Sequence, residues 1–324
     1  MNKYMRRCLE IVLLCVLFLV VGCAHILPTG GAPRINTEKF LNTITNSESI
    51  VHKILPTSEK LDGQVLKVRC LYIGQGDAAL ITWQGQNILI DTGDVEHRPE
   101  LVRLLEKYGV KQVDKMIITH PDSDHLGGAY AVLKHFPVTE VYDNGQEKIT
   151  ATYRTYLKML LRKKIKPETL REGASVDLGG GARLRVVSPG AQLLRKGGQE
   201  DYNNNSIVCR LEYGDFTMLF TGDAEKEQER EILQRHSRDL QSLVLKVGHH
   251  GSKTSSTMAF LQAVQPKIAI ISCGKNNPYH VPHAPALRNL AAVGAKVYRT
   301  DQDGTVTVVT NGKEYRVETQ VDSK

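Results

Sequence analysis

The chain reads as an α/β protein made of two mixed β-sheets with helices outside. Three observations predict this. Between residues 63 and 320, short β-rich runs alternate with stretches of helical spacing, a pattern that packs helices against sheets. Hairpin-like pairs of runs are too frequent for a purely parallel sheet. No internal linker splits the span, so 63–320 is expected to form one domain of catalytic size within the 324 residues.

The elements follow in order. VLKVRCLYI (65–73), AALITW (78–83) and NILID (87–91) read as successive strands, the last two joined by a Gly-containing turn. RPELVRLLEKYG (98–109) carries Leu101, Leu104, Leu105 and Tyr108 at helical spacing and stops at Gly109. A strand VDKMIITH (113–120) and a helix over 125–136 come next. YRTYLKMLLRKK (153–164) is an amphipathic helix whose basic residues read as a solvated face. The second half repeats the mode with RLRVVSP (183–189), SIVCRLEY (206–213), FTMLFTGD (216–223), a helix over 224–236 and SLVLKVGHH (242–250). KIAIISCG (267–274), a helix near 284–293, KVYRT (296–300) and a hairpin around 304–318 complete the chain.

Upstream of this span the character changes. MNKYMRRCLE carries three basic residues, and IVLLCVLFLVVG (11–22) is an unbroken apolar run ending at Cys23. A basic start, a short apolar run and small residues at its end describe a bacterial secretion signal. The run is too short to favour a spanning helix of about 20 residues. Val20-Val21-Gly22-Cys23 resembles a lipobox, which implies a signal peptide over 1–22, lipid on Cys23 and anchoring at the extracytoplasmic face of the membrane. Residues 23–62, rich in Pro, Gly, Thr, Ser and Asn, suit a tether.

Composition is ordinary for a globular protein, with 41% apolar and 24% charged residues. Residues 1–22 hold Lys3, Arg6, Arg7 and Glu10, so about +5 of the formal +7 stays on the remainder. That balance suits a polyanionic partner such as DNA or teichoic acid, and equally plain solubility. Of six cysteines, Cys70, Cys209 and Cys273 fall beyond the first segment, each in an apolar, strand-like run. They read as buried thiols rather than a disulfide framework.

Chemistry concentrates at strand ends. THPDSDHLGG (119–128) places His120, Asp122, Asp124 and His125 within six residues, followed by Gly127-Gly128. In an extended segment His120 and Asp122 project the same way. Asp124 and His125 lie at the turn into the next helix and can aim at a neighbouring point. Imidazole and carboxylate together suit Zn²⁺, Mn²⁺ or Fe²⁺, and a carboxylate-rich set tilts towards Mn²⁺. The competing reading of Asp124 is a helix N-cap. Two further strand ends supply Asp223 in TGDAE (221–225) and His249-His250 in LKVGHHGS (245–252). Three such ends are what a site for two divalent ions requires.

These motifs together resemble the metallo-β-lactamase superfamily, and within it the hydrolase domain of ComEC-type competence proteins. The likeness spans about 65–310 through Gly74-Gln75-Gly76-Asp77, Ile90-Asp91-Thr92-Gly93, THPDSDHLGG, Asn203-Asn204-Asn205-Ser206, TGDAE, LKVGHHGSKTSS and NNPYHVPH (276–283). It implies an αββα sandwich with the site along one sheet edge. It implies one ion on His120 and Asp122, and another on Asp124 and His125. Asp223 would bridge, and either His249 or His250 would complete the second set. Asp91 would orient the ligands from behind, its rival role being to stabilise a turn. Asp122 stands where the wider superfamily carries His, as in the ComEC-type group. Asn205, Tyr279, His280 and His283 are carried over as substrate contacts, although Tyr279-His280-Val281-Pro282 departs from the group's Tyr-Gly-His-Pro.

The expected activity is metal-dependent phosphodiester hydrolysis with two Mn²⁺ or Zn²⁺ ions. Asp124 or Asp223 would orient the attacking water. Ser252, Lys253 and Ser255 would offer donors and charge to a phosphate. DNA is the favoured substrate, which makes the chain a tethered nuclease. An envelope phosphodiester such as a teichoic-acid choline ester is the alternative. A non-enzymatic binding lipoprotein is a third reading, opposed by the retention of every candidate ligand. No protein partner can be inferred.

Overall fold

The computed structural model describes residues 60–321. The apolar run, Cys23 and all but the end of the expected tether lie outside the described residues. Among the described residues no helix is long and apolar enough to cross a membrane.

The first sheet takes β1 (Leu66–Cys70), β2 (Ala79–Trp83), β3 (Gln86–Ile90), β4 (Val113–Ile117), β5 (Val138–Asp143) and β6 (Glu168–Thr169). The second begins with β7 (Ser175–Gly179) and β8 (Ala182–Ser188). A small hairpin of β9 (Arg195–Lys196) and β10 (Gln199–Glu200) interrupts it. It resumes with β11 (Val208–Tyr213), β12 (Phe216–Phe220), β13 (Val244–Lys246), β14 (Ile268–Ile271) and β15 (Lys296–Arg299). The chain then returns to the first sheet with β16 (Val306–Thr310) and β17 (Tyr315–Thr319). Strand order is β17-β16-β1-β2-β3-β4-β5-β6 in the eight-stranded sheet and β15-β14-β13-β12-β11-β8-β7 in the seven-stranded one.

Each sheet is antiparallel on one side and parallel on the other. The change falls at β3, whose neighbours are antiparallel β2 and parallel β4. In the second sheet it falls at β12, between antiparallel β11 and parallel β13. The loops leaving β3, β4, β12 and β13 therefore emerge at matching places in the two sheets. Loops at the carboxyl ends of parallel strands, where strand direction switches, are where such sheets build sites.

Alternation along the strands produces four layers. Leu66, Val68 and Cys70 of β1 and Phe216, Met218 and Phe220 of β12 enter a core between the sheets. Leu80, Leu89 and Met116 point the other way, onto the helices Arg98–Lys107, Ala129–His135 and Ala151–Lys163. Leu219, Leu245 and Ile271 do the same in the second sheet, against the helices Lys226–His236, Met258–Val264 and Ala284–Ala292. This is the αββα arrangement, with apolar residues stripped from water on both faces of each sheet.

Three expectations need correction. The helix expected over 125–136 is two helices, Ser123–Leu126 and Ala129–His135, separated by Gly127-Gly128. The strand expected over 113–120 ends at Ile117, and that over 242–250 ends at Lys246. The histidines beyond both ends sit on loops, freed from the alternation of the sheet. Trp83 closes the inter-sheet core at its far end, its indole N–H donating to the carbonyl of Gly179 (2.8 Å).

Candidate metal centre

The loop after β4 reaches its position because glycines let backbones touch. A Cβ on Gly128 would stand 2.0 Å from the Thr92 carbonyl oxygen, and one on Gly127 would stand 2.5 Å from the Asp94 carbonyl carbon. The closeness permits a stitched set of bonds. Thr92 N and Thr92 Oγ1 both donate to the His125 carbonyl at 2.7 and 2.8 Å. Asp77 N donates to the Asp124 carbonyl (2.9 Å), and Gly93 N donates to the Asp77 carbonyl (2.8 Å). The motifs at 74–77, 91–94 and 122–128 are thus one backbone assembly.

Asp223 is the hub of the centre. Its Oδ1 lies 3.1 Å from His125 Nε2 and 3.7 Å from His250 Nε2. Its Oδ2 lies 3.9 Å from His120 Nε2 and 3.7 Å from His249 Nε2. Asp124 Oδ2 comes within 3.3 Å of His250 Nε2. One donor atom from each of Asp124, His125, Asp223 and His250 lies within 4.8 Å of the others. The Nε2 atoms of His120, His125 and His250 and Asp223 Oδ1 are buried with no hydrogen-bond partner. Orphaned buried polar atoms are costly, about 1–3 kcal/mol each. The convergence of the His125 and His250 nitrogens and Asp223 Oδ1 with Asp124, a mixed imidazole and carboxylate set, fits a divalent transition metal.

Each imidazole is aimed from behind through Nδ1. Asp91 Oδ2 holds His125 Nδ1 at 2.8 Å, and the Ser272 carbonyl holds His250 Nδ1 at 2.9 Å. Thr119 Oγ1 contacts His120 Nδ1 at 3.1 Å and donates to Asp91 Oδ2 at 2.7 Å. Glu225 Oε1 holds His249 Nδ1 at 2.9 Å. Fixing Nδ1 leaves Nε2 to face the centre, the usual support for metal-binding histidines. Asp91 therefore accepts from the Thr119 backbone N–H (2.8 Å) and also holds an imidazole.

The electrostatics agree with this geometry. Burial alone would raise the Asp223 carboxyl, but His125, His250 and His120 hold it well below the ordinary carboxylate value. Asp124 is depressed in the same way by His250 and His125, against burial. Burial would lower His125, yet Asp223 and Asp91 raise it well above an ordinary imidazole. His120 moves down, through burial and the neighbouring His125. The centre therefore keeps buried anions that call for positive charge.

The paired histidines take different places around Asp223. His249 (φ 46°) and His250 (φ 52°) both occupy the left-handed region, which turns their side chains apart. His250 is buried inside the four-donor group, whereas His249 lies at its rim with 28% of its side chain exposed. Asp122 behaves unlike its neighbours. Its Oδ1 is 2.5 Å from Lys148 Nζ, an ion pair at the edge of the centre.

The centre opens into a cleft of about 430 Å³ whose wall includes Gln75, Asn203, Ser252, Tyr279 and His283. Ser252, Tyr279 and His283 were expected there. Asn205 is not on the wall: it is buried, its Nδ2 donating to the carbonyls of Leu194 (2.9 Å) and Asp201 (2.7 Å). Ser255 is buried too, with Oγ donating to the Gly248 carbonyl (2.8 Å), so it shapes the turn. Lys253 and His280 are exposed and outside the cleft lining. Lys253 contributes instead through its backbone N–H, which donates to His283 Nδ1 (3.0 Å).

Sequence reasoning passed over four residues here. Gln75 and Asp77 lay inside a quoted motif without a role. Lys246, on the inter-sheet face of β13, makes a buried ion pair with Asp77 (Nζ to Oδ2, 2.7 Å) beneath the centre. Alternation was the available signal, since Lys246 falls in register with Val244 on the inward face. Lys148 carried no signal, being one lysine on a polar loop.

A centre of this composition on an αββα fold belongs to the metallo-β-lactamase superfamily, and the chain is a member: the family matches residues 71–275, more than half of it. Its relatives are competence proteins of the ComEC type. They include ComE operon protein 3 of Bacillus subtilis (strain 168), 35% identical over 265 residues, covering 74% of this chain and 32% of that protein. Recombination protein 2 of Haemophilus influenzae is 32% identical over 257 residues, covering 77% of this chain and 29% of that protein. The chain thus spans only about three-tenths of the length of these relatives. Among solved structures, unliganded yeast PDE1 aligns with a TM-score of 0.48 at 10% identity, covering 73% of this chain and 98% of that one.

Proposed function

We propose that the chain is a metal-dependent phosphodiester hydrolase acting on DNA, tethered outside the cytoplasmic membrane through Cys23. The observation that carries the chemistry is the convergence of Asp124, His125, Asp223 and His250 at the floor of an open cleft. These four residues would hold a divalent ion, Mn²⁺ or Zn²⁺, which would supply activation of water and of the phosphoryl group.

The protein's own groups divide the remaining work. Asp124 is the ligand-set carboxylate with a cleft-facing side chain, 32% exposed. From there its carboxylate can accept from and orient the attacking water. His283 accepts the Lys253 N–H at Nδ1, so its neutral form carries the proton on Nε2. That Nε2–H can donate a hydrogen bond to a leaving oxygen in the cleft. Ser252 and Asn203 line the same wall and offer hydrogen bonds to a phosphate.

DNA is supported by the relatives, which are named as competence and recombination proteins, and by the basic balance of the chain. The membrane tether rests on the lipobox-like Val20–Cys23. Incubation of the purified chain with single- and double-stranded DNA, in Mn²⁺, Zn²⁺ or EDTA, tests the activity. Cleavage that needs metal and vanishes in Asp223→Ala is expected. Turnover of a choline phosphodiester without DNA cleavage would transfer the assignment to an envelope substrate. Radiolabelled palmitate appearing in the wild type but not in Cys23→Ala tests the tether.

A further inference from the structure

Lys148 is held against the centre by a built loop. Asn144 Nδ2 donates to the Asn205 carbonyl (2.9 Å), and Gln146 Nε2 donates to Glu200 Oε2 (3.2 Å). Tyr202 Oη donates to the Glu147 carbonyl (3.1 Å), and the Lys148 ammonium lies 4.5 Å from the centre of the Tyr202 ring. The ring face and the Asp122 carboxylate thus fix the ammonium from two sides. Asp122 and Lys148 side chains are 29% and 25% exposed; Asp122 lines the cleft and brings the ammonium to its edge.

The position matters because of what Asp122 would otherwise do. His120 and His249 face Oδ2 of Asp223, on the side away from the four-donor group. Asp122, the remaining carboxylate on the cleft wall, has its Oδ1 paired with an ammonium.

We propose that Lys148 takes the place of the second cation. The enzyme holds one ion tightly on Asp124, His125, Asp223 and His250, and the Lys148 ammonium supplies the second positive charge that meets the substrate phosphate. The phosphate half of this assignment rests on the hydrolase reading above; the metal count does not. An ammonium suits the task because it is a compact point charge with three donors and needs no deprotonated ligands.

Metal stoichiometry of the full chain tests the idea without reference to turnover. Equilibrium dialysis against Mn²⁺, with the bound ion measured by mass spectrometry, should give one tight ion per chain and a second at least tenfold weaker. Lys148→Met should tighten the second ion at least tenfold, and the double variant Lys148→Met/Asp122→Asn should cancel that gain. Lys148→Arg, which keeps the positive charge, should leave the second ion weak. At one equivalent of Mn²⁺, Lys148→Met should cleave at least tenfold more slowly, with excess Mn²⁺ restoring the rate. Two ions of equal affinity in the wild type, or an unchanged second affinity in Lys148→Met, would overturn the proposal. If Lys148→Met lacks the native circular dichroism, Lys148→Gln carries the same comparison. Wild-type stoichiometry of one with no phosphodiester cleavage would leave the metal assignment standing and remove the substrate.

Discussion

The buried pair of Lys246 and Asp77 permits a quantitative test of what lies beneath the centre. The two residues are 2% and 5% exposed, and their charges are 2.7 Å apart. Burial alone would raise the Asp77 carboxyl, but Lys246, with His125 and His250, keeps it below the ordinary carboxylate range. Lys246→Met leaves that carboxylate buried with only the Ser272 hydroxyl, which donates to Asp77 Oδ1 at 3.0 Å. Removing one partner of such a pair costs about 3–5 kcal/mol. At about 2–4 °C per kcal/mol for a domain of this size, the melting temperature falls by about 6–20 °C. Asp77→Asn should cost a similar amount, and the double variant should lose clearly less than the two together. Urea unfolding at pH 7 in EDTA measures the cycle without a contribution from metal. A carboxyl whose folded pKa is depressed contributes stability above its unfolded pKa and loses it only as pH falls through the folded value, so pH 7 reports the full effect. Losses below about 1 kcal/mol in both single variants, or strict additivity in the double, would refute the reasoning.

Other expectations follow from the same geometry. Asp91→Asn removes the carboxylate charge behind His125 and should weaken ion binding about 10–100-fold, read by competition with a metal-sensitive dye. Glu229 accepts the N–H groups of Ser256 (2.6 Å) and Thr257 (2.9 Å), yet burial pushes its carboxyl up to about 7. A raised acid favours the protonated folded state, so stability falls as pH rises from about 4.5 to 7, by at most about 3 kcal/mol. Unfolding of Glu229→Gln across that range should show a flatter profile than wild type. Gly128→Ala places its Cβ 2.0 Å from the Thr92 carbonyl oxygen, so the backbone must move; a loss of about 3 kcal/mol in denaturant titration is expected.

How much of this was legible in the sequence depends on what carries the information. Long apolar runs such as FTMLF and the spaced leucines of 98–107 declare themselves, because burial on one or both faces dictates their pattern. Strands β5 and β7 and the helix Met258–Val264 were not read, being short and interrupted by polar residues. Their places come from neighbours far along the chain. The ligand set was visible because His and Asp cluster at strand ends. The choice of His250 over His249 was not, since both belong to one dipeptide and the turn decides their directions. Nor was Lys148, which meets Asp122 only because β5 lies beside β4. The amide of Asn205 looked ready for a ligand, and the backbone of 194–201 consumes it.

The division of the donors between the two sheets has a consequence for how the protein is made. Asp124 and His125 follow β4, while Asp223 and His250 follow β12 and β13 of the other sheet. An ion joining His125 to Asp223 closes a loop of about a hundred residues, and closing so long a loop carries a substantial entropy loss. Neither half, emerging alone from the ribosome, presents more than a fraction of the cage. Ion capture thus waits for the sheets to dock, and the instant of capture marks the end of folding. A metal-sensitive dye in a refolding experiment would act as a clock for that last step.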